Sequence, residues 1–148
     1  MDSCIFCKLV NGEVPSFKIN ENNDFLAFLD INPNTKGASV ISTKKHFSSD
    51  ITDLEPQILS EIMDFAQETC VKIKDKLEVK RVGIAIEGMG VNHFHIKLYP
   101  FHGLGENLEH LDTTHEKMFF EKYPGYLTTQ IGEQADFDEL KKISEMFN

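Results

Sequence analysis

In the run Val91-Asn92-His93-Phe94-His95-Ile96-Lys97-Leu98-Tyr99-Pro100, apolar residues recur at about every second position. That is the period of a half-buried β-strand, placed here over residues 94–98, with Val91, Phe94, Ile96 and Leu98 supplying most of the buried face. Successive side chains point to opposite sides of a strand, so His93, His95 and Lys97 are expected together on the other face. Two imidazoles and an ammonium fill a core poorly but suit a phosphate well. The preceding Gly88-Met89-Gly90 lets backbone N–H groups approach an anion closely.

The rest of the chain supplies a sheet and helices around that strand. Residues 5–10 predict a short helix stopped by Asn11-Gly12. Residues 17–21 and 25–29 predict two strands joined by Asn22-Asn23-Asp24, and residues 38–42 a third after a loop with Pro33 and Gly37. Asp53 reads as the cap of a long helix running to residue 77, with Pro56 in its first turn and an apolar stripe that includes Cys70. Residues 82–86 predict a fourth strand, residues 116–121 a short helix, and residues 136–147 a terminal helix capped by Asp136 or Asp138. Strands and helices do not alternate regularly. The expected class is therefore α+β, an antiparallel sheet of about five strands with a long helix and a C-terminal helix.

With 148 residues and no repeat or linker, one domain over residues 1–148 is expected. The balance of 24 acidic against 15 basic residues, a formal charge of −9, argues against a nucleic-acid polymer as partner but leaves room for a phosphorylated small molecule held by local donors. No apolar run approaches the roughly 20 residues of a spanning helix, and no export pattern opens the sequence, so a cytoplasmic protein without a membrane partner is expected. The three cysteines are too few and too odd in number for a disulfide framework. Cys4 and Cys7 form a C-x-x-C pair that could be incidental, redox-active or half of a zinc site.

Four segments together resemble the histidine-triad (HIT) superfamily of nucleotide hydrolases and transferases. They are Cys4-Ile5-Phe6-Cys7-Lys8-Leu9-Val10-Asn11-Gly12-Glu13-Val14-Pro15, then Phe28-Leu29-Asp30-Ile31-Asn32-Pro33, residues 37–46 ending Lys44-Lys45-His46, and His93-Phe94-His95-Ile96-Lys97. Two departures stand out. Lys97 occupies the third histidine position, which is glutamine in the related galactose-1-phosphate uridylyltransferase branch. Met89 and Gly90 stand where many members carry a glutamine and a hydroxyl residue.

The resemblance implies a HIT-like fold and attack at the α-phosphate of a nucleotidyl substrate, such as a dinucleoside polyphosphate or a nucleoside phosphoramidate. It implies His95 as a nucleophile forming a covalent nucleotidyl-histidine, against the plainer reading of a hydrogen-bonded histidine on a sheet face. It also implies a structural zinc on Cys4, Cys7, His46 and His93. Asp30 would accept ribose hydroxyls or merely cap a turn. Ile5, Phe6, Leu9, Phe28 and Ile31 are core candidates by pattern, some of which would sandwich the base. Lys97 would grip phosphate oxygens or stay solvated, and His102 could reach the same site. Gly88 and Gly90 would line the phosphate, and a homodimer is expected. The rival readings are a nucleotide-binding zinc module with little or no turnover, and a zinc protein whose histidines serve structure alone. His110 and His115 are expected at the surface.

Overall fold

The computed structural model describes residues 3–104, 119–123, 127–128 and 134–147. The chain divides into two compact units, Met1–Glu109 and His110–Asn148, where the sequence reading drew one domain over residues 1–148. The first unit holds helices α1 (Ile5–Val10) and α2 (Pro56–Leu77) and strands β1 (Lys18–Glu21), β2 (Phe25–Leu29), β3 (Ser39–Thr43), β4 (Val82–Ala85) and β5 (His95–Pro100). The second contains α3 (Phe137–Glu145), with Asp136 Oδ1 accepting from the Asp138 backbone N–H at its start. The expected helix at 116–121 falls mostly outside the described residues, as do His110 and His115.

The five strands form one antiparallel sheet in the order β1-β2-β3-β5-β4. The α+β class is as expected. One face packs on α2: Phe25 and Ala27 of β2, Ile41 of β3 and Ile96 and Leu98 of β5 bury against Ile62, Phe65, Ala66 and Ile73. These helix residues recur at helical spacing, which is what closes that face. The other face packs on the short α1, through Leu9 with Leu26, Phe28 and Val40.

α1 ends where Gly12, at φ +75°, sends its N–H to the Leu9 carbonyl and the Glu13 N–H reaches the Lys8 carbonyl. That pair of bonds is a Schellman stop, and it needs a residue comfortable in the left-handed region. Asp53 does not cap α2. Glu55 precedes a proline and is held extended at ψ 137°, so the helix starts at Pro56, while Asp50 caps a separate 3-10 turn at Ile51–Asp53. The third correction concerns the histidine strand, which begins at His95. Residues 91–94 turn before entering it, and Val91 lies on the cavity side with His95, away from the α2 core.

Candidate active site and metal cluster

Cys4 sits at the N-cap of α1 but makes no side-chain capping bond, and Cys7 follows one turn later. Residues three apart share a helix face, so both sulfurs point the same way. His46 follows β3 and His93 precedes β5, two neighbouring strands. The four ligand atoms of Cys4, Cys7, His46 and His93 lie within 4.8 Å of one another. Cys4 Sγ is 3.4 Å from His93 Nδ1, Cys7 Sγ 3.4 Å from His46 Nδ1 and 3.6 Å from His93 Nδ1. A tetrahedral zinc with bonds of about 2.3 Å to sulfur and about 2.0 Å to nitrogen sets those edges at about 3.5 Å. The residues fit the metal.

Their surroundings agree. His93 is fully buried and its Nε2–H donates to the Thr43 carbonyl at 2.8 Å, with Thr43 Oγ1 at 3.1 Å. A carbonyl only accepts, so the proton sits on Nε2 and the Nδ1 lone pair faces the sulfurs. Burial lowers the His93 pKa below the ordinary 6.5, which keeps the ring in its ligating neutral form. Burial, and then the adjoining Cys4, raise the Cys7 thiol above its ordinary 9.0. Two thiols this close resist ionising together, and a dication reverses that.

The same segment places His95. Its Nδ1–H donates to the His93 carbonyl at 2.7 Å, which leaves the lone pair on Nε2 at the far side of the ring. His95 is 3% exposed and lines a cavity of about 340 Å³. Phe6 meets the His95 ring edge-on at 5.3 Å and that of Phe28 at 5.7 Å. Ile5, Leu9, Asp30, Ile31, Gly90 and Lys97 line the same cavity. Leu9 and Phe28 are buried, as a core reading expects, but Ile5 is exposed and Ile31 is 80% exposed. Those two are not core residues. An exposed isoleucine on the rim of a cavity is surface available to a ligand. Asp30 Oδ1 accepts from the Asn32 N–H at 2.8 Å, so its carboxylate both caps a turn and borders the cavity.

Three expected site residues need comment. Lys97 lines the cavity and is partly exposed, and its ammonium pairs with Glu87, a partner ten residues away that no local signal indicates. Gly88 does not line the His95 cavity. It sits at φ +66° against Ser49, where a Cβ would come within 2.8 Å of the Ser49 carbonyl oxygen. His102 borders a separate cavity and donates from Nε2 to the Lys36 carbonyl at 2.8 Å, so it does not join His95. Among lining residues, Val14, Phe17, Val40 and Met89 were also missed; their apolar character alone does not distinguish a cavity wall from a core.

A larger space of about 420 Å³ opens on the α2 face beside Ile19, Ile73 and Leu77. Lys72 at its edge is already engaged by Glu68 and Asn20, and no histidine or cysteine lines it. No helix among the described residues is long and apolar enough to cross a membrane.

Fold and site together define an α+β protein with a two-cysteine, two-histidine cluster bonded through one peptide segment to a cavity histidine. Residues 11–103 match the model of the HIT domain. An adenosine 5'-monophosphoramidase of Saccharomyces cerevisiae is 34% identical over 142 residues, covering 95% of this chain and 78% of the yeast protein. A zinc-bound histidine triad family protein from Mycobacterium smegmatis superposes with a TM-score of 0.65 at 30% identity, over 73% of this chain and 81% of that one. A HIT family protein from Bacillus anthracis gives a TM-score of 0.70 at 28% identity, covering 99% and 95%. The chain belongs to the histidine-triad family.

Proposed function

We propose that this protein is a nucleotide hydrolase that cleaves at the α-phosphate of a nucleotidyl conjugate through His95. The observation that carries this is the pinned tautomer of His95, whose free Nε2 lone pair belongs to a ring set in an aromatic and aliphatic cavity beside a carboxylate. In this reading Phe6, Phe28 and Ile31 hold the base, Asp30 accepts from the ribose hydroxyls, and Lys97 meets the α-phosphate.

His95 Nε2 forms a bond to phosphorus as the bond to the leaving group breaks, and that group departs with the electron pair and takes a proton from solvent. The nucleotidyl-imidazolium keeps its Nδ1–H on the His93 carbonyl, which offsets the new positive charge. Water then attacks phosphorus, breaks the P–N bond and loses a proton to solvent. This restores neutral His95 and releases the nucleoside monophosphate. The cluster of Cys4, Cys7, His46 and His93 would hold zinc as a structural ion, because four protein ligands leave no open position.

The relative from yeast is named for a phosphoramidase activity, which supports a phosphoramidate as the first substrate to try. A binding module with little turnover is the competing reading, favoured by Lys97 being already paired with Glu87. Mixing with an α-phosphate-labelled nucleoside phosphoramidate, quenched in alkali because a P–N bond to imidazole hydrolyses in acid, separates the two. A labelled adduct present in the unmutated chain and absent in His95→Ala supports hydrolysis through His95; label on neither protein, with binding intact, leaves a module.

A further inference from the structure

We infer that a small chamber beside the nucleotide cavity receives the leaving group, and that Glu87 makes this chamber reject polyanions. The inference rests on the hydrolase reading above and narrows its substrate class. The chamber, about 290 Å³, is lined by Ser49, Asp50, Ile51, Glu87 and Met89 among others, and Met89 lines the nucleotide cavity as well. The Lys97–Glu87 ion pair spans the boundary, since Lys97 borders the larger cavity and Glu87 the smaller.

Charge decides what the chamber accepts. Its charged lining residues, Asp50 and Glu87, are both acidic, and no Lys, Arg or His lines it. Lys97 can answer the charge on an α-phosphate but is itself countered by Glu87. A nucleoside phosphoramidate brings its negative charge on the α-phosphate and releases a neutral or cationic amine. A dinucleoside polyphosphate brings a negative charge on every further phosphate and finds no free cation to meet them, because Glu87 already neutralises Lys97 and the other charged lining residue, Asp50, is acidic. Like-charge juxtaposition of this kind is how sites refuse wrong partners.

Glu87 is also fixed in place. It lies two residues past Ala85, the register partner of Lys97, and the following Gly88 is tied by Ser49 Oγ donating to its carbonyl at 2.8 Å. Its side chain is 13% exposed, so solvent and salt screen it less than a surface carboxylate.

The test is competition binding of adenosine 5'-phosphoramidate and diadenosine tetraphosphate to the full chain carrying His95→Ala, without added divalent cations, so that neither ligand is consumed. Adding Glu87→Gln should improve the affinity for the tetraphosphate relative to the phosphoramidate about tenfold, while Glu87→Asp, which keeps the charge, should leave the ratio within about twofold. An unchanged ratio with Gln overturns the inference. If the Gln variant fails to fold, salt titration of the Glu87-containing protein decides. Screening should raise the relative affinity for the tetraphosphate, and a fall with salt overturns the inference. Turnover of the phosphoramidate by the unmutated chain is measured alongside; its absence sinks the hydrolase reading, while the binding ratio still judges Glu87.

Discussion

The two faces of the sheet are built from alternate residues of the same strands and have opposite characters. On the α2 face, Ile41, Ile96 and Leu98 are fully buried in a continuous apolar core under a helix of 22 residues. On the α1 face, a helix of 6 residues covers part of the sheet and leaves a cavity bordered by His95, Lys97 and Asp30. Ile96 and His95 are neighbours in sequence, yet one is buried in the core and the other lines a cavity. A short helix is the reason: α1 covers Leu26, Phe28 and Val40 through Leu9 and Phe6 and is too small to close the rest of its side. The lesson is a division of labour by parity along one strand.

The sharpest way to break this division is at His95. His95→Ala should lower turnover of a nucleoside phosphoramidate at least about ten-thousandfold with little change in thermal stability, as removal of a nucleophile does. Steady-state kinetics beside a melting curve reads both, and retained activity would refute the catalytic reading of the α1 face. Next in size is the anchor of α1. Cys7→Ser should lose bound zinc, measured by elemental analysis, and with it on the order of 5 kcal/mol of stability, because binding energy at such a site is folding energy. Protein purified without chelators that carries no zinc would remove the anchor from the comparison.

Ile41→Ala, on the opposite face, should cost about 2–5 kcal/mol in denaturant unfolding while the nucleotide affinity of the folded fraction stays within about twofold. A large affinity change with unchanged stability would show that the faces are not separable. The smallest effect is expected from Lys97→Met, which should weaken nucleotide binding about tenfold by removing a cation from the cavity wall. Lys97→His should recover part of that loss. Calorimetry showing equal affinity in all three proteins would reduce Lys97 to a structural partner of Glu87.

Much of this was legible in the residues. β2 and α1 have the bounds read from Phe25–Leu29 and from the Asn11-Gly12 stop, because an apolar run and a helix breaker act locally. The four cluster residues, expected as zinc ligands from the resemblance, are brought together by the fold. What escaped was non-local or hidden by periodicity. The start of α2 was misplaced by two residues although Pro56 already disfavours a helical Glu55. Val91 was assigned to the core by carrying strand alternation across a turn. Ile31 looks like a core residue to any pattern rule, and only the cavity explains its exposure. The Glu87 partnership of Lys97 depends on how β4 and β5 are paired, which no local signal encodes.

The hydrogen bond from the His95 ring Nδ1–H to the His93 carbonyl also bears on how such a chain can change length. Because side chains alternate, deleting a single codon after His95 within β5 would exchange inner for outer positions for the remainder of the strand, moving Lys97 toward the core and Leu98 toward the ligand. Deletion of Phe94 would remove the spacing that sets the His95 Nδ1–H on the His93 carbonyl. The stretch 86–92 has no such parity to keep. Insertions and deletions can accumulate there and reshape the cavity rim, while the His95 ring keeps its address.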